Sequence, residues 1–226
     1  MNHFATLINL LRDRSVFLEE IQNGVKVESK ILSLIVASSL FFAIYGAIIG
    51  ASNSWQQMLV STVKLPALYL LTLLICLPTL YFFDILFGSK ADFKQYTLLS
   101  LTTVSVISVL LFSFAPVTLF FLISIRDYHF FLLLNVLIFS LTGFIGVRLF
   151  YNGVRTVMKF DEKTPRIRNQ LLLFWLVLYG LVGSQLGWTL RPFFGAPGER
   201  FQLFRNIEGN FYTQVIKSIL ALFLGN

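Results

Sequence analysis

The chain has 226 residues, 56% of them hydrophobic and only 13% charged, with a formal net charge of +7. A water-soluble domain carries roughly 25% charged residues, so this chain lacks the polar surface to be one. The basic excess forms no clustered face and no stripe interleaved with aromatics, so nucleic acid is not an expected partner. The Lys and Arg residues sit instead in short loops between apolar runs, where membrane topology places them.

Residues 1–30 come before the first long apolar run. Phe4, Leu7, Ile8, Leu11, Leu18 and Ile21 recur near helical spacing, with Arg12, Asp13, Glu19 and Glu20 on other faces. The pattern predicts an amphipathic helix, interrupted near Ser15 and stopped at Gly24. Such a helix either packs on a bundle or lies on a membrane surface or a partner. The run that follows has no small-x-small cleavage pattern, so it is expected to stay as a span rather than be removed as a signal.

Five spans are predicted. Residues 31–50 form the first, at the ~20 residues that match a hydrocarbon core of ~30 Å. Gly46 and Gly50 give it a small-x-x-x-small pair for close helix approach. Residues 51–64 read as a polar turn carrying Trp55, and 65–87 as the second span. Pro66 suits the first turn of that span, and Pro78 lies in its interior. Asp84, near its end, reads as an interface residue rather than a buried acid, and Cys76 as a small core residue.

The third run, 96–125, is 30 residues long. It reads as one tilted helix bent at Ala115-Pro116 with an outer segment, and a re-entrant pair is the alternative. The fourth span is 131–152, followed by a basic loop with Arg155, Lys159, Lys163, Arg166 and Arg168. The fifth is 170–190, with Gly183 and Gly187 as a second small pair. Residues 191–210 form a loop, and 211–224 is too short for a span and reads as an interfacial helix. The fold class is therefore all-α: a polytopic transmembrane bundle (31–190) between an amphipathic segment (1–30) and a loop with an interfacial helix (191–226).

Of the 18 Lys and Arg residues, 11 fall in segments on the N-terminal side and 6 on the other. The positive-inside rule then puts the N-terminus in the cytoplasm and the C-terminus outside.

Catalysis or ion coupling within a membrane uses ionisable groups at depth. Here the acids fall in loops or at helix ends, and neither HExxH nor a mid-span acid pair is present. The single cysteine excludes an internal disulfide, and there is no Cys/His metal spacing. Ser184 and His129 are the one Ser/His pair worth testing, but packing explains the first and a charged turn the second. No catalytic residue, metal or cofactor is expected.

The end of the fifth span stands out. It reads Gly183-Ser184-Gln185-Leu186-Gly187-Trp188-Thr189-Leu190-Arg191-Pro192-Phe193-Phe194. Arg191 suits the negative end of the helix dipole, and Pro192 stops the helix. The bland reading is a rigid cap. The functional one is a site for a lipid headgroup, an anion or a partner, built from Gln185, Trp188, Arg191 and Arg205, with Arg200 nearby.

Lys64-Leu65-Pro66 with Pro78, the Phe114-Ala115-Pro116 bend and the 183–205 block resemble a group of bacterial multi-pass membrane proteins similar to the Yip1 family. The resemblance covers residues 31–212. It implies a cytoplasmic N-terminal segment, about five spans and an outer end, in a bacterial-type plasma membrane or an internal photosynthetic one. It also implies a non-enzymatic adaptor, scaffold or assembly factor that works among membrane lipids through a protein partner or a second copy. Some of that bacterial group are labelled actin-binding WH2 proteins. No Leu-Lys-Lys-Thr-like stretch occurs here, and Val25-Lys26-Val27-Glu28 is a poor substitute, so actin is not an expected partner. A small-solute or ion transporter lined by the proline kinks is the alternative function. Lipid binding at Gln185 to Arg205 is a second alternative.

Overall fold

A computed structural model of the chain describes residues 3–86, 89, 91–125, 127–157, 165–194 and 201–204, with the backbone alone at 129, 165 and 166. Among these residues the structure is all-helical: α1 (His3–Arg12), α2 (Arg14–Gln22), α3 (Val27–Gly50), α4 (Trp55–Leu86), α5 (Phe93–Ser124), α6 (Tyr128–Val157) and α7 (Pro165–Leu190). Helices α3 to α7 are long and apolar enough to cross a membrane, with mean hydropathy of 1.6 or more. These are the five spans expected from the apolar runs.

Helix α3 lies at the centre, between α4 and α5; α7 packs outside α4, and α6 outside α5. The core fills from this arrangement. Leu34, Phe42, Tyr45 and Ile49 of α3 are fully buried, as are Leu98 and Leu111 of α5. The Phe42 and Tyr69 rings stack at 4.2 Å between α3 and α4.

The N-terminal segment packs on the bundle. The chain breaks at Asp13, whose side chain accepts from the Val16 N–H and the Ser15 hydroxyl and so caps α2. Those two bonds hold its carboxyl below the usual carboxylate range. Leu7, Leu10, Phe17, Leu18 and Ile21 are buried. Arg14 donates to the Leu149 carbonyl, and Gln22 to that of Val157, at the end of α6. Gly24 takes a positive φ of 69° just beyond α2, the left-handed turn that stops a helix. Lys26, at φ 50°, does the same before α3 without glycine's freedom.

Several sequence expectations about the spans are changed or narrowed. Helix α4 begins at Trp55, so most of the supposed polar turn 51–64 is helix. Gln57, Ser61 and Lys64 recur at one-turn spacing and share a face, which made a buried polar stripe look like a loop. Residues 93–124 form one uninterrupted helix with Pro116 inside it, so the single helix stands, the outer segment is part of it, and the re-entrant alternative falls. Finally, α7 starts at Pro165, which suits a first helical position, and it takes Arg168 out of the supposed basic loop. The interfacial helix expected at 211–224 lies outside the described residues, as do Arg200 and Arg205.

Candidate functional site

At the end of the bundle where α3 meets α4, the first glycine pair behaves as expected. A Cβ on Gly46 would sit 2.3 Å from the Ser61 carbonyl oxygen, and one on Gly50 2.5 Å from that of Gln57. Only glycine allows that approach. It brings the polar stripe of α4 beside the chain leaving α7. The Gln57 amide donates to the Pro192 carbonyl at 2.7 Å and to that of Phe193 at 3.3 Å. The Ser61 hydroxyl donates to the Phe193 carbonyl at 2.6 Å, and Ser52 to that of Phe194 at 3.1 Å. The Lys64 ammonium donates to the carbonyls of Pro192, at 3.3 Å, and Leu203. It also lies 4.7 Å from the centre of the Phe204 ring. Four side chains thus satisfy main-chain carbonyls of the irregular chain beyond α7, which no helix ladder pairs.

The residues singled out from sequence lie beside this clamp. The Arg191 guanidinium stacks over the Trp188 ring at 3.3 Å, so those two come together. Gln185 lies one turn before Trp188, and its carbonyl accepts from the Thr189 hydroxyl. Arg205 falls outside the described residues. The second glycine pair is looser than the first. Cβ atoms on Gly183 and Gly187 would meet Thr72 and Leu68 at 3.5 and 3.9 Å, ordinary contact distances. Ser184 donates to the Leu181 carbonyl, and the side chain of His129 lies outside the described residues.

The opposite end holds the polar cluster that the sequence reading missed. Asp84 is 9% exposed and Arg168 3%. Arg168 donates from Nε to Asp84 Oδ1 at 3.0 Å and from Nη2 to Oδ2 at 2.9 Å. The Tyr96 hydroxyl also donates to Oδ2. Asp84 is therefore a buried acid, contrary to the interface position expected for it. Its burial is tolerable because a cation and a hydroxyl replace the water it gives up. Two turns deeper, the Trp175 indole N–H donates to the Cys76 carbonyl at 2.9 Å and ties α7 to α4 again. Cys76 itself is buried, as expected. Nearby, Lys30 pairs with Glu20 at 2.7 Å and anchors α2 to α3.

Between the two ends, the Tyr45 hydroxyl donates to Asn135 Oδ1 at 2.7 Å and lies 3.3 Å from the Thr118 hydroxyl. This links α3, α5 and α6 at fully buried positions. Among the described residues, no three of His, Cys, Asp and Glu come together as a metal site. The buried charged side chains Asp84, Arg168, Lys30 and Lys64 bond to a charged partner or to backbone, and their geometry joins helices.

The sequence profile of the Yip1 domain matches residues 8–185. The chain belongs to the Yip1 family. With five apolar helices, it is a multi-pass integral membrane protein. No curated protein and no solved structure matches it. The Yip1 match starts earlier than the resemblance read over 31–212 and takes in the second half of α1 and all of α2. It ends at Gln185, so Asp84, Arg168 and Lys64 are within the Yip1 domain while Trp188 and Arg191 lie beyond it.

Proposed function

We propose that the protein is a non-enzymatic membrane adaptor or assembly factor of Yip1 type, acting by association with a partner protein or a second copy of itself. The observation that carries this reading is how the ionisable groups of the bundle are employed. Asp84 is held by Arg168 and Tyr96, Lys30 by Glu20, and Lys64 by main-chain carbonyls. Each acts as a strut. A proton relay or a nucleophile needs a group able to change partners during reaction. The cavity between α6 and α7 exposes an almost wholly apolar wall, which does not favour a solute path.

In this reading the N-terminus is cytoplasmic, in a bacterial-type plasma membrane. The pairing of Lys30, Lys94 and Arg168 with acids on their own side leaves the argument intact, because the rule counts Lys and Arg rather than net charge. Affinity purification of the tagged full chain from its native membrane in mild detergent tests the proposal. The expected particle contains a second protein or a second copy. A lone chain of 25.8 kDa, with no co-purifying protein, would overturn it.

A second reading applies to Gln185, Trp188, Arg191 and Arg205 as a site for an anionic headgroup. The stacking of Arg191 on Trp188 supports it, since it fixes a cation at a helix end beside an aromatic typical of the membrane interface.

A further inference from the structure

Helices α6 and α7 follow one another in sequence and their backbones stay apart, joined by side chains where Tyr151 donates to Asn169 Oδ1 at 2.5 Å and the Phe150 and Trp175 rings lie 5.0 Å from each other. A cavity of about 210 Å³ lies between them, walled by Tyr69 and Leu73 of α4, Ser100 and Ile107 of α5, Phe150 of α6 and Trp175 of α7. Native interiors rarely leave voids much larger than a water molecule. This one exceeds the roughly 150 Å³ at which an apolar void takes up a benzene molecule. Its walls belong to membrane-spanning helices, so what lies beside it is hydrocarbon rather than water.

Two further observations point to an occupant. Gly143 of α6 and Gly180 of α7 both line the cavity, and a Cβ on either would meet nothing within 4 Å. Neither glycine is required for helix contact; together they leave space open. The second observation is Ser100. It is 2% exposed, lines the cavity, and its hydroxyl has no hydrogen-bond partner among the described residues. On the same helix Thr102 and Ser113 bond to the carbonyl one turn back. A buried hydroxyl that forgoes this bond is placed to serve a group that is not part of the chain.

Depth and width narrow the choice. Ser100 lies seven residues into α5, roughly 10 Å from its start at 1.5 Å per residue. It is one turn deeper than Tyr96, which bonds to Asp84. Hydrocarbon gives way to headgroups over a zone roughly 5–8 Å thick on each side of a bilayer, and the ester carbonyls of a glycerolipid lie at that boundary. As to width, a transmembrane helix is about 10–12 Å across, while this volume as a sphere is about 7 Å across. A single hydrocarbon chain fits and a helix does not.

We propose that the α6–α7 cleft is a lateral lipid slot. One acyl chain of a glycerophospholipid, from the leaflet on the α1–α2 side, lies between the two helices, and its ester carbonyl accepts the Ser100 hydroxyl. This inference stands apart from the adaptor reading and survives its failure.

The test uses the full chain in phosphatidylethanolamine and phosphatidylglycerol vesicles doped with a phosphatidylglycerol that carries a diazirine along one acyl chain. Adducts formed on illumination are mapped by peptide mass spectrometry. They should concentrate on 100–107, 143–150 and 175–180. In Gly143→Leu and in Gly180→Phe, which fill the cleft from opposite sides, they should fall at least fivefold there. Adducts at the exposed faces around Val136 and Phe82 should persist. Even labelling of all lipid-facing helices, or labelling unchanged by either filling variant, would overturn the proposal. If a filling variant aggregates on gel filtration, Ser100→Ala supplies the readout. Cleft adducts should then fall about twofold, and unchanged adducts would count against the slot.

Discussion

Arg168 meets Asp84 edge to edge, with two parallel hydrogen bonds of 3.0 and 2.9 Å joining the start of α7 to the end of α4. Arginine suits this place because its planar fork matches a carboxylate, which a lysine cannot do. The pair also accounts for how α7 is held. That helix packs mainly on α4, through this pair, the Trp175 bond to Cys76 and the clamp beyond Leu190, with Tyr151 and Phe150 of α6 meeting Asn169 and Trp175 on its other side.

Breaking the pair on one side should be far worse than removing it entirely. Arg168→Met leaves a buried carboxylate, and Asp84→Leu leaves a buried guanidinium. Each should cost about 3–5 kcal/mol. The double variant removes both charges and should recover most of the loss. Thermal unfolding in detergent, read by loss of monodisperse protein, gives the three values. Additive losses in the double variant would show that the two residues do not act as a pair.

The two glycine pairs should respond in opposite ways. Gly46→Ala and Gly50→Ala force a Cβ into the main chain of α4, at 2.3 and 2.5 Å, and backbone cannot step aside cheaply. Each should destabilise by about 1–3 kcal/mol. Gly183→Ala and Gly187→Ala gain ordinary contacts with Thr72 and Leu68 and should be neutral or slightly stabilising. Melting temperatures of the four variants settle the contrast; equal losses in both pairs would contradict it.

That contrast also marks what could be read from the sequence. The spans were legible because five runs are apolar over the length of a bilayer, and Gly46 and Gly50 were legible because their spacing is a packing motif. Gly183 and Gly187 have the same spacing but face side chains rather than backbone, which spacing alone does not reveal. Asp84 and Arg168 are 84 positions apart, so neither hinted at the other. Each was read by its neighbours in sequence, as a helix-end acid and a loop cation. Lys64, Gln57 and Ser61 were misread for a related reason. Polar residues at one-turn spacing were taken for a solvated turn, when the periodicity itself marked a helix face awaiting a polar partner.

The α4 clamp should control how firmly the chain beyond α7 is held. Lys64→Met keeps the length of the side chain and loses its donors to the Pro192 and Leu203 carbonyls. Combining Gln57→Leu and Ser61→Ala removes the remaining bonds to Pro192 and Phe193. Each net hydrogen bond contributes about 0.5–1.5 kcal/mol. Hydrogen exchange over 191–194 should accelerate roughly tenfold in the combined variant, with little change in α5. Unaltered exchange would mean that the segment is held by its aromatic contacts and the Ser52 bond to Phe194.

Tyr45→Phe probes the buried link among α3, α5 and α6. The ring stays, but Asn135 Oδ1 loses its donor, and the Thr118 hydroxyl loses a neighbour. Polar bonds between membrane helices are modest, averaging about 0.6 kcal/mol and reaching about 1.7. A loss near the upper end is expected, because a buried amide oxygen is left without its partner. A double-mutant cycle with Asn135→Leu measures the coupling, and a coupling indistinguishable from zero would remove the link from the account.

Arg191 separates the cap reading from the headgroup reading. Its stacking on Trp188 serves either, so packing alone does not decide between them. A cap works through position and shape, whereas a headgroup site works through charge. A cation beside an anionic membrane surface contributes about 1 kcal/mol, roughly a fivefold change in lipid retention. Native mass spectrometry of the protein released from detergent should therefore show about fivefold fewer phosphatidylglycerol adducts for Arg191→Ala. Arg191→Lys, which keeps the charge and loses the planar stack, should retain most of them. If the alanine variant keeps its anionic lipid and only melts earlier, the guanidinium is a cap on α7, and Gln185 and Trp188 share in that structural role.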